Sequence, residues 1–186
     1  MAQLLDRATL ALAATLEQFD RPLAAPHPNV RYVGPVLDEE SPSWEPPGRS
    51  LVLVSFSTTY MRQETALRRA LEAVGSLDVH AVCTLGNVLG RETLHASANV
   101  QILDWMPHGA ILPYAAAVVT HAGHSTVMAA LADGVPLVCM PMGRDQHTLG
   151  GFQRLNRLLP SDKHRVCFVG KNNQFAQRQQ RNSLVG

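Results

Sequence analysis

From residue 51 onward, short apolar runs alternate with stretches of helical period, and this alternation limits the fold more than any other feature of the chain. Residues 51–56 (LVLVSF) form a continuous apolar run between polar loops, the pattern of a strand buried on both faces. Residues 61–74 repeat apolar positions at Leu67, Leu71 and Val74, the spacing of one helix face. Residues 79–84, 100–103, 115–120 and 137–140 are again short and apolar. Strands separated by helices predict an α/β chain, a Rossmann-like parallel sheet with helices on both faces. In such sheets ligands bind beyond the carboxyl ends of the strands. The loops expected there are Ser57-Thr58-Thr59, Trp105-Met106-Pro107-His108, His121 to Ser125, and Arg144-Asp145-Gln146.

The densest information lies in residues 120–146, THAGHSTVMAALADGVPLVCMPMGRDQ. Val118-Val119 end a strand, and His121-Ala122-Gly123-His124 turn the chain with small residues. Ser125-Thr126 then open a helix that carries Val127, Met128 and Leu131 inward. Asp133-Gly134 stop it; Gly134 suits the left-handed position after a helix, and Pro136 cannot continue one. A helix that starts after a small-residue loop presents free N–H groups and the positive end of its dipole, which favours an anion.

The chain has 186 residues and a formal net charge of +1, enough length for one domain with a core and no electrostatic case for nucleic acid or an anionic membrane. No run is long enough to span a bilayer, and no signal peptide is recognised. Residues 1–19 read as one amphipathic helix with Leu5, Leu12, Leu16 and Phe19 in a stripe. Pro-rich stretches at 21–28 and 38–50 read as linker, separated by a short strand at 30–33. Cys83 and Cys139 fall in apolar strands and Cys167 lies far from both, which points to buried thiols in a reducing cytoplasm. A helix is expected near 151–159 and a strand at 165–169, followed by a Gln-, Asn- and Arg-rich tail expected to be disordered. No GxGxxG follows an early strand, which sets a nicotinamide oxidoreductase aside.

With these residues in order, the segment resembles the donor-binding signature of the GT-B glycosyltransferases that use nucleotide sugars, in the bacterial macrolide and calicheamicin-type branch. The resemblance is most specific over residues 99–146. It implies the C-terminal half of a GT-B fold, incomplete here, with residues 1–50 as the end of an N-terminal acceptor domain plus linker. Residues 51–170 would be the donor-binding domain and 171–186 the tail. It implies that His121, Gly123, Ser125 and Thr126, with Ser57 and Thr58, hold the donor diphosphate. Trp105 would stack on the base while the backbone of Met106 reads its edge, and Asp145 and Gln146 would hold the sugar.

The residues themselves leave alternatives open. Ser125 could simply cap its helix, Trp105 could be a core residue, Ser57-Thr58 a plain turn, and Asp145-Gln146 an exposed polar loop. His121 and His124 lack a third metal ligand, and no carboxylate cluster suggests a metal, so none is expected. Ala129 stands where many relatives carry a Glu for the ribose. The general base expected from the resemblance is a His in the missing N-terminal domain; His27 matches nothing catalytic. The implied function is transfer of a hexosyl group from a UDP- or dTDP-hexose to a small-molecule aglycone with inversion. The alternative is a non-catalytic binding module that needs a partner chain for the acceptor side, or an inactive fragment such as a truncation or frameshift would leave.

Overall fold

The computed structural model describes residues 2–17, 27–37, 44–45, 48, 50–56, 63–86, 94–140 and 167–169. The expected helix at 151–159, the tail, and the loops bearing Ser57, Thr58, Asp145 and Gln146 lie outside them.

The N-terminal helix is much shorter than its sequence period predicts. Helix α1 covers Ala2–Arg7, and strand β1 (Ala11–Ala13) follows, paired in parallel with β2 (Val30–Tyr32). The reason is a contact distant in sequence. The Asn29 side-chain amide donates to the carbonyls of Leu5 (3.1 Å) and Ala8 (2.8 Å), acceptors that a continuing helix would use, and the Ala11 N–H bonds Asn29 O at 2.7 Å. Leu12 is consequently exposed at 63% on β1, while Leu16 packs on the main core. His27 joins this end of the chain by a hydrogen bond to Asp6, 3.0 Å from Nε2 to Oδ1.

The remaining strands form one sheet. They are β3 (Leu51–Ser55), β4 (His80–Thr84), β5 (Val100–Leu103), β6 (Ala115–Thr120), β7 (Leu137–Cys139) and β8 (Cys167–Val169). Their order is β5-β4-β3-β6-β7-β8; the first four pairings in that row are parallel, and in the fifth β8 runs antiparallel to β7. Helix α2 is Glu64–Gly75, α3 is His108–Ile111 with a 3-10 turn after it, and α4 is His124–Ala132.

Strand β3 shows why helices cover both faces. Leu51 and Leu53 enter a core with Val82, Val118 and Leu137 and with Ile111, Val127, Met128 and Leu131 from α3 and α4. Val52, Val54 and Phe56 enter a second core with Leu67, Leu71 and Val74 of α2. A continuous apolar run is the only pattern that serves both faces. Asn99 closes the far end of α2, its amide lying 3.1 Å, 3.1 Å and 3.0 Å from the carbonyls of Val74, Leu77 and Val79.

From β3 the chain winds outward to β4 and β5, then crosses back to place β6 on the other side of β3. The reversal leaves a crevice between the carboxyl ends of β3 and β6, the place where open α/β sheets bind ligands.

Candidate functional site

A cleft of about 550 Å³ opens at that reversal. One wall is the start of α4. Gly123 is its N-cap, with φ −64 and ψ 140, and no side chain caps the helix. The N–H groups of the first turn therefore have no intrahelical acceptor and none from the N-cap side chain, and the residues of that turn line the cleft at the positive end of the helix dipole. Ser125 is inside this first turn, so it does not act as the cap. Both it and Thr126 line the cleft; Thr126 is 6% exposed.

His121 leaves the end of β6 and is 8% exposed. Its ring folds back over Gly123: a Cβ there would sit 2.6 Å from Nε2 and 2.7 Å from Cε1 of the imidazole. Glycine is thus required by the close approach of the ring rather than by its own φ. Between them Ala122 takes φ 69, a left-handed backbone that costs a residue with a Cβ roughly 1–2 kcal/mol. The turn therefore holds His121 close against the helix start, with the Phe56 ring centroid 6.4 Å from its own.

The opposite wall comes from the loop after β5. Trp105 is 68% exposed and lines the cleft, so it is not a core residue. Met106 is half-buried and packs on the core beneath, and Pro107 caps α3. The floor holds three polar groups that the sequence pattern does not single out together. Thr84 Oγ1 donates to Ser55 Oγ at 3.0 Å, and Ser55 Oγ is 3.0 Å from His108 Nε2. Ser55, Thr84 and Thr120 each close an apolar run at the end of a strand, and register sets Ser55 opposite both threonines. That terminal hydroxyl is the signal by which a sequence could have shown them.

His124 also lines the cleft, and its Nε2 meets the Thr15 hydroxyl at 2.8 Å, which ties the segment after β1 to the start of α4. At the other end of α4, Asp133 contributes a carboxyl whose pKa burial pushes up. Cys83 lies beneath the floor, where burial pushes its thiol up to about 12. Among the described residues, no three His, Cys, Asp or Glu side chains come together as metal ligands would. The cleft thus offers helix N–H groups and an imidazole for an anion, an exposed indole for a planar ring, and hydroxyls between them.

Comparison with known proteins finds similar chains. Residues 68–153 match the erythromycin biosynthesis protein CIII-like, C-terminal domain. The chain is 36% identical over 146 residues to 4'-demethylrebeccamycin synthase of Lentzea aerocolonigenes, covering 74% of this chain and 34% of that protein. It is 38% identical over 115 residues to demethyllactenocin mycarosyltransferase of Streptomyces fradiae, covering 59% of this chain and 25% of that one. Among solved structures, the calicheamicin glycosyltransferase superposes with a TM-score of 0.64 at 26% identity, over 81% of this chain and 39% of that one. The glycotransferase of kitacinnamycin gives 0.62 at 25%, over 77% and 39%. The chain thus spans about a third or less of the curated relatives named here. No helix among the described residues is long and apolar enough to cross a membrane. The match to the erythromycin biosynthesis protein CIII-like C-terminal domain is thus confined to residues 68–153, and the sheet matches that of the C-terminal half of GT-B glycosyltransferases.

Proposed function

We propose that this chain is the donor-binding part of a glycosyltransferase that moves a hexosyl group from a UDP- or dTDP-hexose to a small-molecule acceptor with inversion. One observation carries the reading: His121, the uncapped start of α4 and the exposed Trp105 meet in one cleft at the sheet's reversal point. The diphosphate would lie against the α4 N–H groups, Ser125, Thr126 and His121, with Gly123 giving it room. Preorganised donors of this kind stabilise the charge that develops on a leaving diphosphate, by a few kcal/mol each, without a metal ion. Trp105 would carry the base, for about 1–3 kcal/mol of stacking, with the Met106 backbone at its edge. Ser57, Thr58, Asp145 and Gln146 complete the reading as diphosphate and sugar contacts. A reducing, cytoplasmic setting is supported by Cys83 and Cys139, which are buried in the two cores as thiols.

Tryptophan fluorescence tests it. UDP, dTDP and GDP are titrated into the chain, and at least one is expected to quench emission saturably, with the response lost in Trp105→Phe. A folded chain whose emission none of the three alters would contradict the reading.

A second reading, a non-catalytic or inactive module that needs a partner chain for the acceptor side, is favoured by β1 and β2. Parallel strands are ordinarily covered on both faces, and two strands alone are marginal. Here Leu10 (55%), Leu12 (63%), Val33 (55%) and Val36 (82%) around this small sheet are exposed. Transfer to an aglycone by the purified chain alone, at the turnover of an ordinary enzyme, would exclude this second reading.

A further inference from the structure

The polar groups on the cleft floor have no part in the diphosphate and base contacts assigned above, yet they arrive from three elements far apart in sequence. Ser55 ends β3, Thr84 ends β4 and His108 opens α3. Register places Ser55 opposite Thr84, so both hydroxyls leave the sheet on one face. It is the face of Leu53 and Val82, which α3 and α4 cover. Both hydroxyls are buried, at 3% and 6% exposure, and all three side chains line the cleft.

A hydroxyl carries one proton and two acceptor lone pairs. Ser55 accepts from Thr84, which leaves its own proton to give, and His108 Nε2 lies 3.0 Å away. Donation to Nε2 would require that nitrogen to be bare, with the imidazole proton on Nδ1. The order of donation would then run Thr84 to Ser55 to His108. His108 directly follows Pro107, whose ring fixes one backbone torsion, and stands three residues after Trp105. Anchoring the His108 ring to the sheet therefore restrains the loop at 104–108 from its far end, while β5 restrains it from the near end.

We propose that Ser55, held by Thr84, is a positioning residue: it fixes the ring orientation and tautomer of His108 and so sets the Trp105 loop for a nucleoside before any ligand arrives. The proposal rests on the nucleoside diphosphate reading above. A loop ordered in advance costs less to order on binding, so the effect belongs to affinity.

The full chain with ¹⁵N-labelled histidine tests it, with UDP as the probe. His108 is identified by the signal missing from His108→Gln. In the wild type its Nε2 resonates as a bare ring nitrogen and its Nδ1 as a protonated one. In Ser55→Ala this tautomer bias disappears, and UDP binds about tenfold more weakly, the equivalent of one net hydrogen bond. Thr84→Val, which keeps the shape of the side chain and removes the donor, moves both readouts the same way and serves where Ser55→Ala does not fold. A proton on Nε2 in the wild type, or undiminished UDP affinity in folded Ser55→Ala, would overturn the proposal. A folded wild type that binds no nucleoside diphosphate overturns the function it rests on, and this role falls with it whatever the tautomer.

Discussion

The turn from β6 into α4 is where single residues matter most. Gly123 has φ −64, which any residue adopts, so the cost of adding a methyl there is steric alone. Gly123→Ala is expected to push the imidazole of His121 out of its seat and to destabilise the chain by about 1–3 kcal/mol, as overpacking does. In a His121→Ala background the same methyl meets no atom closer than ordinary van der Waals contact, so its cost should vanish. A double-mutant cycle of chemical denaturation checks this through a coupling energy of about the same size. Additive effects would mean that the ring does not occupy that space. Cys83 gives a second residue-scale expectation. Its thiol has an ordinary pKa of 9.0 and is raised to about 12 in the folded chain, because burial disfavours the thiolate. Its contribution to stability is therefore complete below pH 9.0 and is lost progressively as pH rises toward 12. The maximum slope is about 1.4 kcal/mol per pH unit. Urea unfolding above pH 9 should show the decline, with a shallower slope in Cys83→Ala, and the native thiol should resist alkylation at neutral pH.

At the scale of elements, Asn99 shows how one side chain ends a helix. Its amide reaches three carbonyls after the last turns of α2, so Asn99→Ala should cost about 2 kcal/mol, read from the urea midpoint at unchanged m-value. A change within a few tenths of a kcal/mol would show that water replaces those bonds without loss. The elements were unevenly legible in the sequence. Strands at 100–103 and 115–120 are found at the expected residues, because a short apolar run between turn residues has few other uses. That Trp105, His121 and Gly123 face one cleft was also legible, since each lies in a loop just after the carboxyl end of an expected strand. Residues 1–19 misled: their helical period is real, but Asn29 and β2 take the backbone groups that would have extended α1. The Ser55–Thr84–His108 contact was illegible for a similar reason. Each residue alone is a polar end to an apolar run, and only the strand order brings them together.

For the whole molecule, the sheet reversal, the helix start and the loop after β5 combine into one anion-and-ring site, and the account stands on that combination. The cleft's His108 and His124 are both engaged with hydroxyls, of Ser55 and Thr15. Neither is then poised to take a proton from an acceptor, and the purified chain should show negligible transfer from UDP-glucose to added aglycones in a product assay. Robust turnover would show that the chain holds a base, with these two histidines the first to be substituted. The most direct test of the donor site is calorimetric titration with UDP and dTDP of wild type and His121→Ala, alongside their melting temperatures without ligand. The account predicts saturable binding of at least one nucleotide by the wild type, and affinity lower by tenfold or more in the variant, whose unliganded fold persists. Equal affinity in the two proteins, together with a clear loss of stability in the variant, would make His121 part of the scaffold and contradict the diphosphate site.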